Sequence, residues 1–147
     1  MNEVMNHPEL FFLENFNIDR IFTTIEKTDY LFLYYIRGCC AKEDSEGRCY
    51  LSDLSKAMNI EIPALSRQIE KLQGKGYISW HTDHSAGKTY VELTSKAIEL
   101  MSDERKRMVS AYEKLLAEIG PEEIERTLQT MRKITDILKE PDTTLTA

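Results

Sequence analysis

The side chains best suited to recognition chemistry lie in the segment from Pro63 to Leu72. Leu65, Ile69 and Leu72 are spaced four and three residues apart, which predicts a helix with one buried apolar side. At about 100° per residue, Arg67 falls almost opposite that side. A guanidinium can donate two parallel hydrogen bonds to the edge of a guanine, so an exposed Arg67 could read a base pair.

Several neighbours of Arg67 could add contacts to a nucleic acid. Ser66 and Lys71 suit phosphate or water-mediated contacts, and Gln68 could reach a base only from an early turn of the helix. The candidate DNA-binding residues, in this helix and around it, are Ser52, Pro63, Ala64, Ser66, Arg67, Gln68, Lys71, His84 and Lys88. A short amphipathic helix with a solvated polar side is the alternative interpretation of the same pattern.

Two short helices joined by a tight turn are predicted to position that polar side. The first begins at Ser52, and Asn59 can adopt the left-handed conformation that a tight helix end needs. The second begins near Pro63, which suits a first helical turn, and Gly74 and Gly76 end it. This order is the helix-turn-helix pattern.

Extended segments follow this pair of helices. Residues 77–81 and 88–94 have the composition of strands, and residues 82–87 between them are small and polar with one glycine. The sequence therefore predicts a β-hairpin directly after the second helix.

Longer helices flank this central region. Thr28 is predicted to cap a helix over residues 29–41, and a short apolar step follows at residues 49–51. A long helix is predicted over residues 95–119, and a last helix follows a glycine-proline break. The heptad-like stripe of the long helix is Ile98, Met101, Arg105, Met108, Tyr112, Leu115 and Ile119.

Length and charge narrow the class of protein. The 147 residues suit one domain, and 19 Lys and Arg against 25 Asp and Glu give a net charge of −6. A strongly basic net charge would have indicated a nucleic-acid partner, but the net charge here is acidic. The distribution of charge along the chain is therefore the informative property. Residues 62–94 are the least acidic part, with four Lys and Arg against three Asp and Glu. The longest aromatic-aliphatic run, Tyr30 to Ile36, is far shorter than the ~20 residues of a membrane-spanning helix.

Catalytic motifs are missing from the sequence. It has no Gly-rich phosphate loop, no Gly-x-Ser-x-Gly and no paired His and carboxylate motif, so we expect neither an enzyme nor a cofactor. The N-terminus does not read as a signal peptide, and three cysteines cannot form a closed disulfide framework. We therefore expect a cytoplasmic protein without a membrane segment.

The stretch Leu51 to Ile78, LSDLSKAMNIEIPALSRQIEKLQGKGYI, carries a resemblance to a known family. Together with the order of the flanking helices, it resembles the MarR family of winged-helix transcription regulators. Ser66-Arg67 sits where many members carry Ser-Arg in the recognition helix, residues 75–78 match the exit into the wing, and Leu93-Thr94 match its end.

The resemblance implies a mainly α fold with a small β-hairpin wing, in a single chain of residues 1–147. Residues 28–94 would form the winged helix-turn-helix, and residues 1–27 and 95–140 a helical dimerisation region. Residues 141–147 would be a flexible tail. A homodimer would then bind a pseudo-palindromic site in double-stranded DNA.

A small effector is also implied by the resemblance. Tyr30, Tyr34 and Tyr35 lie near where the family's effector cleft opens, and an aromatic cleft could hold a small aromatic or anionic ligand. Ordinary packing in the core or at its rim is the alternative for each of the three tyrosines.

The predicted wing tip departs from the family. Members usually carry an Asp and Arg pair there, but Gly87 lies about where the Arg would be and Lys88 is the only strong cation. With the net charge of −6, this keeps open a rival hypothesis, a winged-helix protein-interaction module that does not bind DNA.

The cysteines offer another alternative, a thiol- or oxidant-sensing regulator that uses Cys39, Cys40 or Cys49. Buried cysteines more commonly act as small apolar residues, and that is our expectation here. His81 and His84 are interpreted as residues of the wing surface, and no metal site is predicted.

Overall fold

A computed structural model of the chain describes residues 6–15 and 24–140. Residues 1–5 and 16–23 of the predicted dimerisation region, and the predicted tail 141–147, lie outside the described residues. The elements, in chain order, are α1 Pro8–Asn15, α2 Lys27–Cys40, β1 Cys49–Tyr50, α3 Leu51–Met58, α4 Ile62–Gly74, β2 Ile78–Asp83, β3 Lys88–Leu93, α5 Ser95–Ile119 and α6 Pro121–Lys139.

The strands form one antiparallel sheet in the order β1-β3-β2. The hairpin of β2 and β3 runs in register from Ile78 opposite Leu93 to Asp83 opposite Lys88. The mainly helical fold with a small hairpin wing is thus confirmed. The interpretation of residues 49–51 as only an apolar step was incomplete, because Cys49 and Tyr50 pair with Val91 and Tyr90 as a third strand.

The core of the central region lies between α2, α3, α4 and the inner side of the sheet. Leu54 on α3, Leu65 and Ile69 on α4, and Val91 on β3 are all fully buried. The apolar residues of α4, spaced four and three apart, therefore pack in the core as predicted, and the polar side of the helix faces solvent.

The long helix α5 has the predicted bounds, and Met101, Met108 and Tyr112 of the predicted stripe are buried, but its other members are not. The buried side consists of Ala97, Met101, Glu104, Met108 and Tyr112. Ile98 and Ile119 are exposed instead. Glu104 can be buried because its Oε1 accepts hydrogen bonds from the Thr24 amide and hydroxyl at 2.9 and 2.7 Å.

Two helix ends test the predicted caps. Thr28 does not cap α2, because the helix begins at Lys27, two residues before the predicted start, and Glu26 is the N-cap residue. Asn59 adopts the left-handed conformation at the end of α3, with φ 55°, as its residue type predicted. Among the described residues, no helix is both long and apolar enough to span a membrane.

Candidate nucleic-acid interface and effector cavity

One side of α4 is open to solvent. Pro63, Arg67 and Lys71 are exposed, while Leu65, Ile69 and Leu72 on the opposite side are fully buried. Ala64, Ser66 and Gln68 lie between these sides and are half-buried. Arg67 is therefore placed where a bound partner could reach it without disturbing the core.

The C-terminal end of α4 is fixed by a hydrogen bond from the start of the wing and by an ion pair with α2. The Tyr77 amide donates to the Leu72 carbonyl at 3.0 Å, and Gly76 between them has a φ of +80°. Lys75 is ion-paired with Asp29, a buried carboxylate in the first turn of α2. The exposed side of α4 thus has a fixed orientation relative to α2 and to the wing.

The remaining candidate DNA-binding residues lie on other elements. Ser52 is exposed in the first turn of α3, and His84 and Lys88 are exposed in the hairpin turn and at the start of β3. They are surface side chains, so the candidate interface spans α3, α4 and the wing.

Arg48, just before β1, is a cation at the wing that sequence reasoning missed. Its Nη1 lies 3.4 Å from Asp83 Oδ2, and its guanidinium carbon lies 4.5 Å from the centroid of the Tyr90 ring. The pKa of Arg48 lies above its ordinary value because the Tyr50 side chain, and more weakly Tyr90 and Asp83, stabilise the cation. Its place two residues before Tyr50, on the same side of an extended chain, was the available signal.

A cavity of about 690 Å³ separates the terminal helices from the central region. It is bordered by α1, α2, α3 and α5, and its lining includes His7, Glu9, Tyr34, Tyr35, Arg37 and Arg105. Arg105 Nε lies 3.5 Å from Glu9 Oε1, so one basic group already faces a carboxylate. Tyr34 and Tyr35 contribute an edge-to-face ring pair with centroids 5.7 Å apart.

Tyr30 is placed differently from the other two tyrosines. It is buried in the core, does not line the cavity, and donates a hydrogen bond from its hydroxyl to Glu9 Oε1 at 3.0 Å. Burial, followed by the Glu9 carboxylate, raises the pKa of Tyr30 well above its ordinary value. Tyr30 thus supports the wall of the cavity through Glu9.

The three cysteines are free thiols where α2 meets the sheet. Cys39 and Cys49 are buried, and Cys40 is half-buried. A hydrogen bond with the Cys49 thiol lowers the pKa of Cys39, whereas burial raises the pKa of Cys40 to about 11. Cys39 also borders the cavity.

Comparison with known proteins agrees with this geometry. A model of the MarR family matches residues 44–85, which extend from the turn before β1, through α3 and α4, into the hairpin turn. The resemblance to the MarR family is confirmed.

Solved structures of MarR-type proteins share the fold over nearly the whole chain. MepR of Staphylococcus aureus, a transcription regulator of the multidrug efflux pump MepA, is 20% identical, with a TM-score of 0.59 over 94% of this chain and 92% of that one. A mutant MarR from E. coli complexed with operator DNA is 15% identical, with a TM-score of 0.59 over 90% and 86%. The S. aureus MepR-DNA complex matches with 20% identity and a TM-score of 0.57, over 94% and 90%.

Proposed function

We propose that this chain is a transcription regulator that binds duplex DNA sequence-specifically, with α4 as its recognition helix. The observation that carries the proposal is the division of α4 into a fully buried apolar side and an exposed side with Arg67 and Lys71. A recognition helix must bury one side and leave the other free for base edges. DNA complexes of two proteins with the same fold support the proposal.

The regulator acts as a homodimer on a pseudo-palindromic site. Ile119, Ile134, Ile137 and Leu138, on α5 and α6, are between 48% and 79% exposed in the single chain. A second copy would remove this apolar surface from water, at about 25 cal/mol per Å² buried. Two-fold symmetry then sets the half-sites about one helical turn apart.

A small ligand is proposed to bind in the cavity between α1, α2 and α5. The Tyr34 and Tyr35 rings would contact an aromatic ring, and the exposed Arg37 beside them would attract an anion. The class of ligand is thus a small aromatic carboxylate. A ligand that fits only one arrangement of the dimer would shift the population between DNA-binding and non-binding states.

Binding to DNA selected from a random pool tests the main proposal. The full chain is titrated with the selected duplex and with a scrambled duplex of equal length, with fluorescence anisotropy as the readout. We expect saturable binding to the selected duplex, typically at least about 10³-fold tighter than to the scrambled one. A chain that binds neither duplex would instead support the rival hypothesis, a winged-helix protein-interaction module.

The same titration with added benzoate tests the ligand. We expect benzoate to weaken binding of the selected duplex, and Arg37→Ala to remove that effect without changing binding in its absence. An equal benzoate effect on the parent and Arg37→Ala would argue against an anion site at Arg37.

A further inference from the structure

The outer face of the sheet carries a set of polar and aromatic side chains. Side chains alternate between the two faces of a strand, and Val91 and Cys49 point into the core. Tyr50, Tyr90 and His81 therefore share the outer face, where the His81 and Tyr90 rings stack with centroids 5.2 Å apart.

Arg48 runs across this face toward the hairpin turn. The register of β1 places residue 48 beside Glu92, near the base of the hairpin. Its guanidinium nevertheless lies over Tyr90 and reaches Asp83, the last residue of β2. The Arg48 side chain thus extends from the edge of the sheet at β1, across β3, to the end of β2 at the hairpin turn.

Asp83 also organises the hairpin turn. Its Oδ1 accepts from the Ser85 amide and hydroxyl at 3.1 and 2.7 Å and from the Ala86 amide at 3.2 Å. These hydrogen bonds and Arg48 keep the pKa of Asp83 below its usual range, so the carboxylate is charged at neutral pH. Without a nearby cation, that charge would repel a phosphate backbone at the wing.

We propose that Arg48 is a DNA-binding residue of the wing and contacts the phosphate backbone beside the hairpin turn. This proposal rests on the proposed function. Family members usually carry an Arg at the wing tip, where this chain has Gly87, and Arg48 would supply the missing cation from the position before β1. A guanidinium has five N–H donors, and the Arg48 side chain keeps 32% of its surface exposed while it pairs with Asp83. Asp83 and Tyr90 fix its position, and Lys88 provides a second cation on the same face, 5.8 Å from the Tyr50 ring centroid.

The salt dependence of DNA binding tests this assignment. The affinity of the selected duplex is measured against salt concentration for the full-length parent, Arg48→Ala, Lys88→Ala and the double variant. Removing one phosphate contact lowers the slope of log K against log salt by about 0.9 per subunit. We expect that decrease for Arg48→Ala, and again for Arg48→Ala in the Lys88→Ala background. Lys106→Ala, which removes an exposed cation from the side of α5 opposite its buried residues, is the matched control and should keep the parent's slope.

Two results would overturn the assignment alone. One is a slope for Arg48→Ala equal to that of Lys106→Ala. The other is an Arg48→Ala effect that disappears in the Lys88→Ala background, because Arg48 would then act only by positioning Lys88. If circular dichroism shows that Arg48→Ala is unfolded, Arg48→Gln gives the same comparison with more of the side chain retained. A parent chain that binds no duplex would overturn the proposed function as well.

Discussion

At the residue scale, the cysteines are expected to be structural, and oxidant treatment tests this. Cys39 and Cys49 are buried, and Cys40 has a pKa of about 11, so its thiol is neutral near pH 7. The thiolate is the reactive form of cysteine. Treatment with dilute hydrogen peroxide should therefore leave the affinity for the selected duplex unchanged, as measured by anisotropy.

Cys39 is the thiol that could contradict this prediction. The hydrogen bond with the Cys49 thiol holds the pKa of Cys39 below its ordinary value, and Cys39 borders the cavity. Loss of DNA binding on peroxide treatment, restored by a reductant and absent in Cys39→Ser, would make the chain a thiol-based sensor. Cys40→Ser is the matched control, because it removes the neighbouring thiol on the same helix.

Single residues differed in how far the sequence could predict them. Arg67 was placed on the exposed side of α4 by periodicity alone, because the helix has one buried side and little else decides its orientation. The spacing of Arg48 from Tyr50 indicates that they share a face, but the contact of Arg48 with Asp83 depends on the pairing of three strands, which the local sequence does not encode. From the sequence alone, Glu104 would be predicted to lie on the surface. Its burial depends on Thr24 and on Arg107, whose Nη1 lies 3.1 Å from Glu104 Oε1.

At the element scale, the junction between the wing and α5 depends on Thr94. Its hydroxyl accepts from the Ala97 amide at 3.3 Å, which caps α5, and donates to the Gly76 carbonyl at 2.7 Å. Thr94→Ala should lower the free energy of unfolding by about 1 kcal/mol, the usual cost of a lost N-cap. Urea unfolding followed by circular dichroism measures this, and Thr94→Ser should retain most of the stability. Equal midpoints for Thr94→Ala and the parent would show that the cap contributes nothing.

Element types were easier to predict than helix ends and faces. The apolar period gave α5 its bounds, but the buried set includes Ala97 and Glu104 in place of Ile98 and Arg105. Positions one residue apart differ by about 100° around the helix, so the packing of α1 and α2 against α5 decides which of them is buried. Between α1 and α5, for example, the Phe11 and Tyr112 rings lie with centroids 5.1 Å apart.

At the scale of the whole molecule, the proposed homodimer depends on the apolar side of α6. Ile134 is 51% exposed in the single chain. If a partner subunit covers it, Ile134→Asp buries an unpaired charge, and the dimer dissociation constant should rise at least about tenfold, equivalent to about 1.4 kcal/mol. Size-exclusion chromatography with light scattering across a dilution series measures this.

Gln129→Asp provides the matched control for this variant. Gln129 is exposed and lies five residues from Ile134, which at about 100° per residue puts it on the far side of α6. The Gln129→Asp variant adds the same charge to the same helix and should leave the dimer intact. A folded monomer for the parent chain, or equal dissociation by both variants, would argue against a dimer formed through this side of α6.

The central claim is that the exposed side of α4 reads DNA sequence, and Arg67→Ala tests it most directly. Anisotropy titrations compare the parent, Arg67→Ala and Lys71→Ala on the selected and scrambled duplexes. We expect Arg67→Ala to remain a folded dimer and to lose about 1–3 kcal/mol on the selected duplex but less on the scrambled one, so that specificity falls together with affinity. Lys71→Ala, as a phosphate contact, should weaken both about equally. A folded Arg67→Ala that binds the selected duplex as tightly as the parent would contradict the account.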